Sequence, residues 1–368
     1  MASAVPGDDA NAVRSVHTTT LAPLLHDLGV SVAVSTYQSG HVVLVRADGD
    51  RTNTHFRTLD APMGLAYDRG RLAVGTRHGT TEFHDHPGVG RRFDPTGRTD
   101  ACFLPRYHAV TGHVAVHDVA FDAGGELWAV NTRFSCLCTF DRVHSFVPRW
   151  RPPFVTGYSP DDRCHLNGLG MADGVPRSVT ALGATDAAGG WRADKARGGV
   201  LMDVPSGEVA AGGLSMPHSP RWHGGTLYVL ESGVGSLATV DLGTGRLTPV
   251  AVLPGFTRGL DFAGPYAFVG LSQVRETAVF SGVPVTDRLS PAERCCGLWV
   301  VDLRTGGVAA FLRFEAGVQE VFGVTVLPHR WPELLTDESG EAVASSYVLP
   351  AAALAECPRG PNEPAQPP

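Results

Sequence analysis

Three histidines and a glutamate stand at intervals that a repeating fold would bring together. His117 and His218 are 101 residues apart, and His218 and Glu320 are 102 apart. Two imidazoles and one carboxylate are a ligand set for Fe(II), Zn or Mn that leaves coordination positions open for water or substrate. His165 is the alternate ligand, and a three-imidazole set favours zinc or copper. The expected cofactor is therefore a divalent metal (Fe, Zn or Cu) acting as a Lewis acid or an oxygen-activating centre. Arg258 and Arg133 would orient an anionic group, because the guanidinium fork pairs both oxygens of a carboxylate or phosphate. Glu231 or Asp118 would act as general base or support a metal ligand. Asn131, Asn167, Arg77 and Gln273 would line the substrate site, with Arg275 and Glu276 beside Gln273 in the chain. The plain alternative is a solvated polar channel in which a pair such as His117-Asp118 only caps a turn.

The elements that must position these residues are short strands in a repeated phrase. Its copies are Pro62-Met-Gly-Leu-Ala-Tyr, Val116-His-Asp-Val-Ala-Phe, Leu166-Asn-Gly-Leu-Gly-Met, Pro217-His-Ser-Pro-Arg-Trp, Thr257-Arg-Gly-Leu-Asp-Phe and Val321-Phe-Gly-Val-Thr-Val. Aligned on the third residue they fall at Gly64, Asp118, Gly168, Ser219, Gly259 and Gly323, in steps of 40 to 64 residues. A strand-only repeat of that length is the signature of a β-propeller. Further strands follow each copy, as in Leu227-Tyr-Val-Leu-Glu and in Gly297-Leu-Trp-Val-Val-Asp-Leu.

The fold class is therefore all-β: a six-bladed β-propeller with four-stranded antiparallel blades. The last copy has little after it, and its missing partners stand at Val30-Ser-Val-Ala-Val and Val42-Val-Leu-Val-Arg. The last blade is thus closed by both termini, which removes a free sheet edge. Seven blades is the rival reading, because the longest step leaves room for one more; Ser281 to Arg294 reads better as a loop within a blade. The expected boundaries are a flexible extension over residues 1–24, the propeller over 25–335 and a Pro-rich, partly disordered tail over 336–368.

Composition narrows the partners. A net charge of −7 with no basic cluster argues against nucleic acid. No apolar run is long enough to span a membrane, and the N-terminus lacks a secretory core. Seven cysteines form no evident disulfide framework and suit a reducing, cytoplasmic setting. Cys136 and Cys138 read as buried structural thiols in preference to a soft metal site. Nucleophile-elbow, zinc-protease and phosphate-loop motifs are missing. The expected ligand is a small molecule or a peptide; the oligomeric state is open.

The stretch His117-Asp-Val-Ala-Phe-Asp, with Leu127-Trp-Ala-Val-Asn-Thr-Arg-Phe-Ser-Cys-Leu, resembles a phrase of an uncharacterised bacterial propeller family. Over residues 25 to 330 the repeat form is also similar to the superfamily of NHL-repeat, SMP-30/gluconolactonase and strictosidine-synthase-like propellers. That resemblance implies one channel cation held by carboxylates and Asn in a lactone-opening enzyme. The matching positions here are His117, Asn167, His218 and Arg258, and only Asn167 and Glu320 agree in type. The six-bladed peptidylglycine amidating lyase is similar in another way, since its channel zinc is held by histidines with Arg assisting. The overall expectation is a metal-dependent enzyme (hydrolase, lyase or oxidative). The alternative is a non-catalytic propeller binding a partner protein or peptide on its polar face.

Overall fold

The computed structural model describes residues 13–274 and 282–357. Six sheets stand in a ring, and each presents one copy of the phrase as its innermost strand. Those strands are Leu65–Asp68, Val116–Phe121, Leu166–Ala172, Pro217–His223, Phe256–Ala263 and Gly323–Leu327, here called the inner strands of blades 1 to 6. There is no seventh sheet among the described residues. The stretch around Pro284–Arg288 is an excursion between the second and third strands of blade 5.

Blade 6 pairs Gly323–Leu327 with Ser31–Ser35, in the register Val34↔Val324 and Val32↔Val326, and continues to His41–Asp48 and Arg51–Thr58. Both chain ends then reach further than the closing blade. Arg14–His17 adds a fifth strand to blade 5 beside Val308–Ala316. Pro332–Leu334 runs parallel to Ala101–Phe103 on the outside of blade 1. The extension expected over residues 1–24 is thus built into the ring from Arg14 onward, and helix Leu21–Leu28 buries Leu21 and Leu25 against blades 5 and 6. Each of these strands covers an edge whose main-chain groups would otherwise seek partners elsewhere.

The core is six apolar layers, one between each pair of neighbouring blades. Val32 and Val45 meet Leu298 and Phe314 between blades 5 and 6. Leu44 meets Leu72 and Phe103 between blades 6 and 1. Around the axis the inner strands come so close that the third phrase position is glycine in four of the six copies, with Asp118 and Ser219 in the other two. A Cβ added at Gly64 would lie 2.7 Å from the Asp118 Cα of the next blade, and one at Gly168 would lie 2.5 Å from Pro220 Cδ. Packing thus explains the recurring glycine that makes the repeat visible in the sequence.

Candidate functional site

The inner strands deliver their side chains in two layers at one mouth of the channel. One residue before the small position stand Met63, His117, Asn167, His218, Arg258 and Phe322. Two residues earlier, nearer the surface, stand Ala61, Ala115, His165, Met216, Phe256 and Glu320. Four of this upper layer enter the strand with left-handed backbone: Ala61 (φ 47°), Ala115 (φ 55°), His165 (φ 52°) and Met216 (φ 47°). Non-glycine residues rarely hold that conformation, which costs on the order of 1–3 kcal/mol each.

This local fold fixes the imidazoles. His117 Nδ1 lies 3.1 Å from Ala115 O, and His218 Nδ1 lies 3.0 Å from Met216 O and 2.9 Å from Ser232 Oγ. A carbonyl oxygen only accepts, so Nδ1 carries the proton in both rings. Burial pushes both imidazoles well below the usual value, helped by the charges of Arg258 and His165. Neutral and protonated at Nδ1, each ring keeps its lone pair on Nε2, which bonds to no described residue.

His165 is anchored differently. Its Nδ1 sits 2.9 Å and 3.0 Å from the two carboxylate oxygens of Asp162, which also accepts from Trp191 Nε1 at 3.0 Å. Asp162 is itself left-handed, at φ 49°. The His165 side chain is 17% exposed, so a ligand in the mouth can reach it. A continuous path of rings crosses the mouth: Tyr37 to Phe322 at 5.5 Å, Phe322 to His117 at 5.1 Å, His117 to His165 at 4.9 Å and His165 to Trp191 at 4.5 Å.

Arg258 lies over Phe322, its Cζ 3.4 Å from the ring centroid, and its Nη1 donates to Glu320 Oε1 at 3.2 Å. Burial pulls its pKa down to about 10 against the pull of Glu320, and it stays charged. Its other N–H groups bond to no described residue. Beneath these side chains is a cavity of about 10 Å³ for the centre of a water-sized sphere, lined by His117, Asn167, His218 and Arg258. That is about the room one water needs. Asn167 accepts from Thr180 Oγ1 at 2.6 Å through Oδ1, while its buried Nδ2 has no partner.

Asp118 is not free to act as a base: it pairs with Arg221 at 2.8 and 2.9 Å and accepts the main-chain N–H of Leu169 at 2.9 Å. Arg221 went unrecognised in the sequence; the signal was an opposite charge 103 residues, two blades, from Asp118. Glu231 accepts from Ser215 N at 3.1 Å, and Asn131 accepts from Phe134 N at 3.0 Å in a turn. Arg133 reaches Pro160 O at 3.4 Å, and Arg77 pairs with Asp60 at 2.9 Å on the surface. Gln273 joins blade 5 to the Gln319 carbonyl through its main-chain N–H. Arg275 and Glu276 lie outside the described residues.

Among the described residues, no three His, Cys, Asp or Glu side chains are grouped so as to hold a metal ion. The expected trio is split by height: Glu320 lies in the upper layer, where it accepts from Arg258 below it, whereas His117 and His218 lie one layer deeper with Arg258. Burial pushes the Cys136 thiol up to about 12 and that of Cys164 to about 11, as structural thiols require.

Fold and site together define a six-bladed propeller with a polar, histidine-bearing channel mouth. Residues 19–335 match the family described as "Domain of unknown function (DUF4915)", and the chain belongs to it. No curated protein matches the sequence. Among solved structures it is similar to a protein of unknown function from Bacteroides caccae, at 10% identity and a TM-score of 0.50, over 81% of this chain and 98% of that one. A chain of a nidogen/laminin complex is similar at 9% identity and a TM-score of 0.49, over 82% of this chain and 99% of that one. No helix among the described residues is long and apolar enough to cross a membrane.

Proposed function

We propose that this propeller is an enzyme acting on a small anionic molecule by acid–base catalysis at the channel mouth, with His165 as the general base. The observation that carries the reading is the Asp162–His165 pair, with Nδ1 held by the carboxylate at 2.9 and 3.0 Å and both residues in left-handed backbone. The carboxylate fixes the tautomer and leaves the Nε2 lone pair to take a proton from a substrate O–H or C–H, or from water. The imidazolium that forms is stabilised by Asp162. Arg258, seated over Phe322 with N–H groups to spare, would hold the anionic group.

Carbethoxylation mapped by mass spectrometry tests this on the intact protein, without knowledge of the substrate. His165 should be modified before His117 and His218. Oxalate or inorganic phosphate should protect it, and Arg258→Lys should remove that protection. An unreactive His165, or anions that protect no histidine, would overturn the reading.

A second reading is a divalent metal (Fe, Zn or Cu) that would draw the Nε2 atoms of His117, His165 and His218 together on binding, since they do not stand at ligand spacing without it. It is favoured because all three rings are pinned at Nδ1, as the outer partners of ligating imidazoles usually pin them. About one equivalent of metal, lost in both His117→Ala and His218→Ala, supports it. Kinship with NHL and SMP-30-like propellers rests on repeat form alone and belongs with this reading. Failure of both tests would leave a mouth that binds a partner protein or peptide.

A further inference from the structure

At the opposite end of the channel the inner strands finish on large residues. The sixth position of the phrase holds Tyr67, Phe121, Met171, Trp222, Phe262 and Val326 in order around the ring. Four of them, Tyr67, Phe121, Met171 and Trp222, line one open cavity of about 270 Å³ whose lining also includes Arg221 and Asp261. That volume is close to the lower bound for small-molecule sites, and the cavity sets aromatic side chains beside the polar groups of Asp68, Arg221, Asp261 and Thr325.

The charges in this cavity are unequally matched. Arg221 is already taken by both oxygens of Asp118, at 2.8 and 2.9 Å, and by Leu169 O at 2.7 Å. Asp68 is paired with Arg69 at 2.9 Å and Arg71 at 3.4 Å. Asp261 accepts from Phe262 N at 2.8 Å, Val326 N at 2.7 Å and Thr325 Oγ1 at 3.1 Å. No described Arg, Lys or His forms an ion pair with it. One carboxylate is therefore left without a cation, beside an aromatic wall. Burial raises its pKa, and the main-chain N–H groups of Val326 and Phe262 and the field of the more distant Arg221 only partly offset that. A carboxylate in such a setting gains most from a ligand that brings positive charge.

We propose that this second cavity binds a small organic ammonium ion, its head at Asp261 and its flat apolar body against Tyr67, Phe121 and Trp222. The aromatic wall suits a cation as well as an apolar body, because ring faces attract positive charge. Arg71 already lies over Phe121 at 4.2 Å, and Tyr67 packs edge-to-face with Phe103 and His329 at 6.2 and 5.8 Å. An anion is disfavoured here because the one guanidinium in the cavity is engaged. The site lies at the other end of the channel from Arg258 and stands or falls independently of the chemistry proposed for the mouth.

The test is calorimetric titration of the whole chain with three probes of one shape: 2-phenylethylammonium, 2-phenylethanol and 3-phenylpropionate. The ammonium ion should bind at least about tenfold more tightly than either of the others. Asp261→Asn should abolish that preference, and Trp222→Leu should weaken binding of the ammonium ion severalfold. Equal binding of the three probes, no binding of the ammonium ion, or a preference that survives in Asp261→Asn would overturn the proposal. Should Asp261→Asn prove unstable, the wild-type comparison of the three probes decides alone.

Discussion

The two ends of the channel are built from the same six strands and are opposite in character. Where the strands begin, imidazoles and Arg258 keep lone pairs and N–H groups unused, and the backbone is left-handed at Ala115, Asp162, His165 and Met216. Where the strands end, the ring is apolar, and left-handed residues such as Arg69 and Asp173 are ordinary turn residues, each followed by glycine. Strain at a turn is a routine way to reverse a chain. Strain at a strand start, repeated from blade to blade and ending on a histidine, aims side chains into a channel. Between the ends lies the Asp118–Arg221 pair, which joins blades 2 and 4 and meets the main chain of blade 3 at Leu169. It divides one channel into two sites.

Removing that division should give the largest effect. Asp118→Ala leaves a partly buried guanidinium without its anion and should cost about 3 kcal/mol of unfolding free energy. Arg221→Ala should cost a similar amount, and the double variant less than the two together. Urea unfolding measures all three; an Asp118→Ala protein as stable as wild type would show that the two ends are not separated by this pair. Next in size is the close approach around the axis. Gly64→Ala places a Cβ 2.7 Å from Asp118 Cα, and Gly168→Ala places one 2.5 Å from Pro220 Cδ. Backbone must shift to make room, at a cost of roughly 1–3 kcal/mol each. A melting temperature unchanged by both would mean that the blades have slack at the axis, and the contrast between a packed middle and two open ends would weaken.

The ring and its closure were legible because packing writes them into the sequence. The same contact that forbids a Cβ at Gly64 and Gly168 makes small residues recur, and Val32 and Val34 show the alternation of a strand seeking an edge. Spacing alone did not carry the height of His117, His218 and Glu320: a two-residue offset in the phrase puts Glu320 one layer above the two histidines and Arg258. Pairing across blades was hidden for a similar reason. Asp118 and Arg221 meet only once the ring is closed, and neither has an unusual neighbour in the chain. The added strands Arg14–His17 and Pro332–Leu334 are too short to show a period, and their partners lie on other blades.

Acidity should distinguish the ends more gently. His117 and His218 are held below the ordinary imidazole value by burial and by the charges of Arg258 and His165. Below about pH 6.5 the unfolded chain therefore binds more protons than the folded one. Their contribution to stability is complete above that pH and falls as the pH drops toward the folded-state values. The slope is at most about 1.4 kcal/mol per pH unit for each ring. Urea midpoints measured between about pH 8 and pH 5 with a chelator present should show this loss. His117→Asn and His218→Asn should each flatten it. A slope untouched by both substitutions would place the titrating groups elsewhere.

The smallest effect is expected at Arg77, which the spacing of the blades had placed among the substrate-binding residues. Its Nε donates to Asp60 at 2.9 Å, and its side chain is 46% exposed, so water screens the pair on all sides. The hydrogen bond to Asp60 raises its pKa, yet an arginine is charged at any working pH with or without that bond. Arg77→Ala should therefore leave the melting temperature unchanged and the protection of His165 by oxalate intact. If Arg77→Ala removes that protection, the anion site extends out to the rim of the mouth. Recognition would then depend on an exposed arginine as well as the buried Arg258, and the line drawn here between an ordered mouth and its solvated rim would have to move outward.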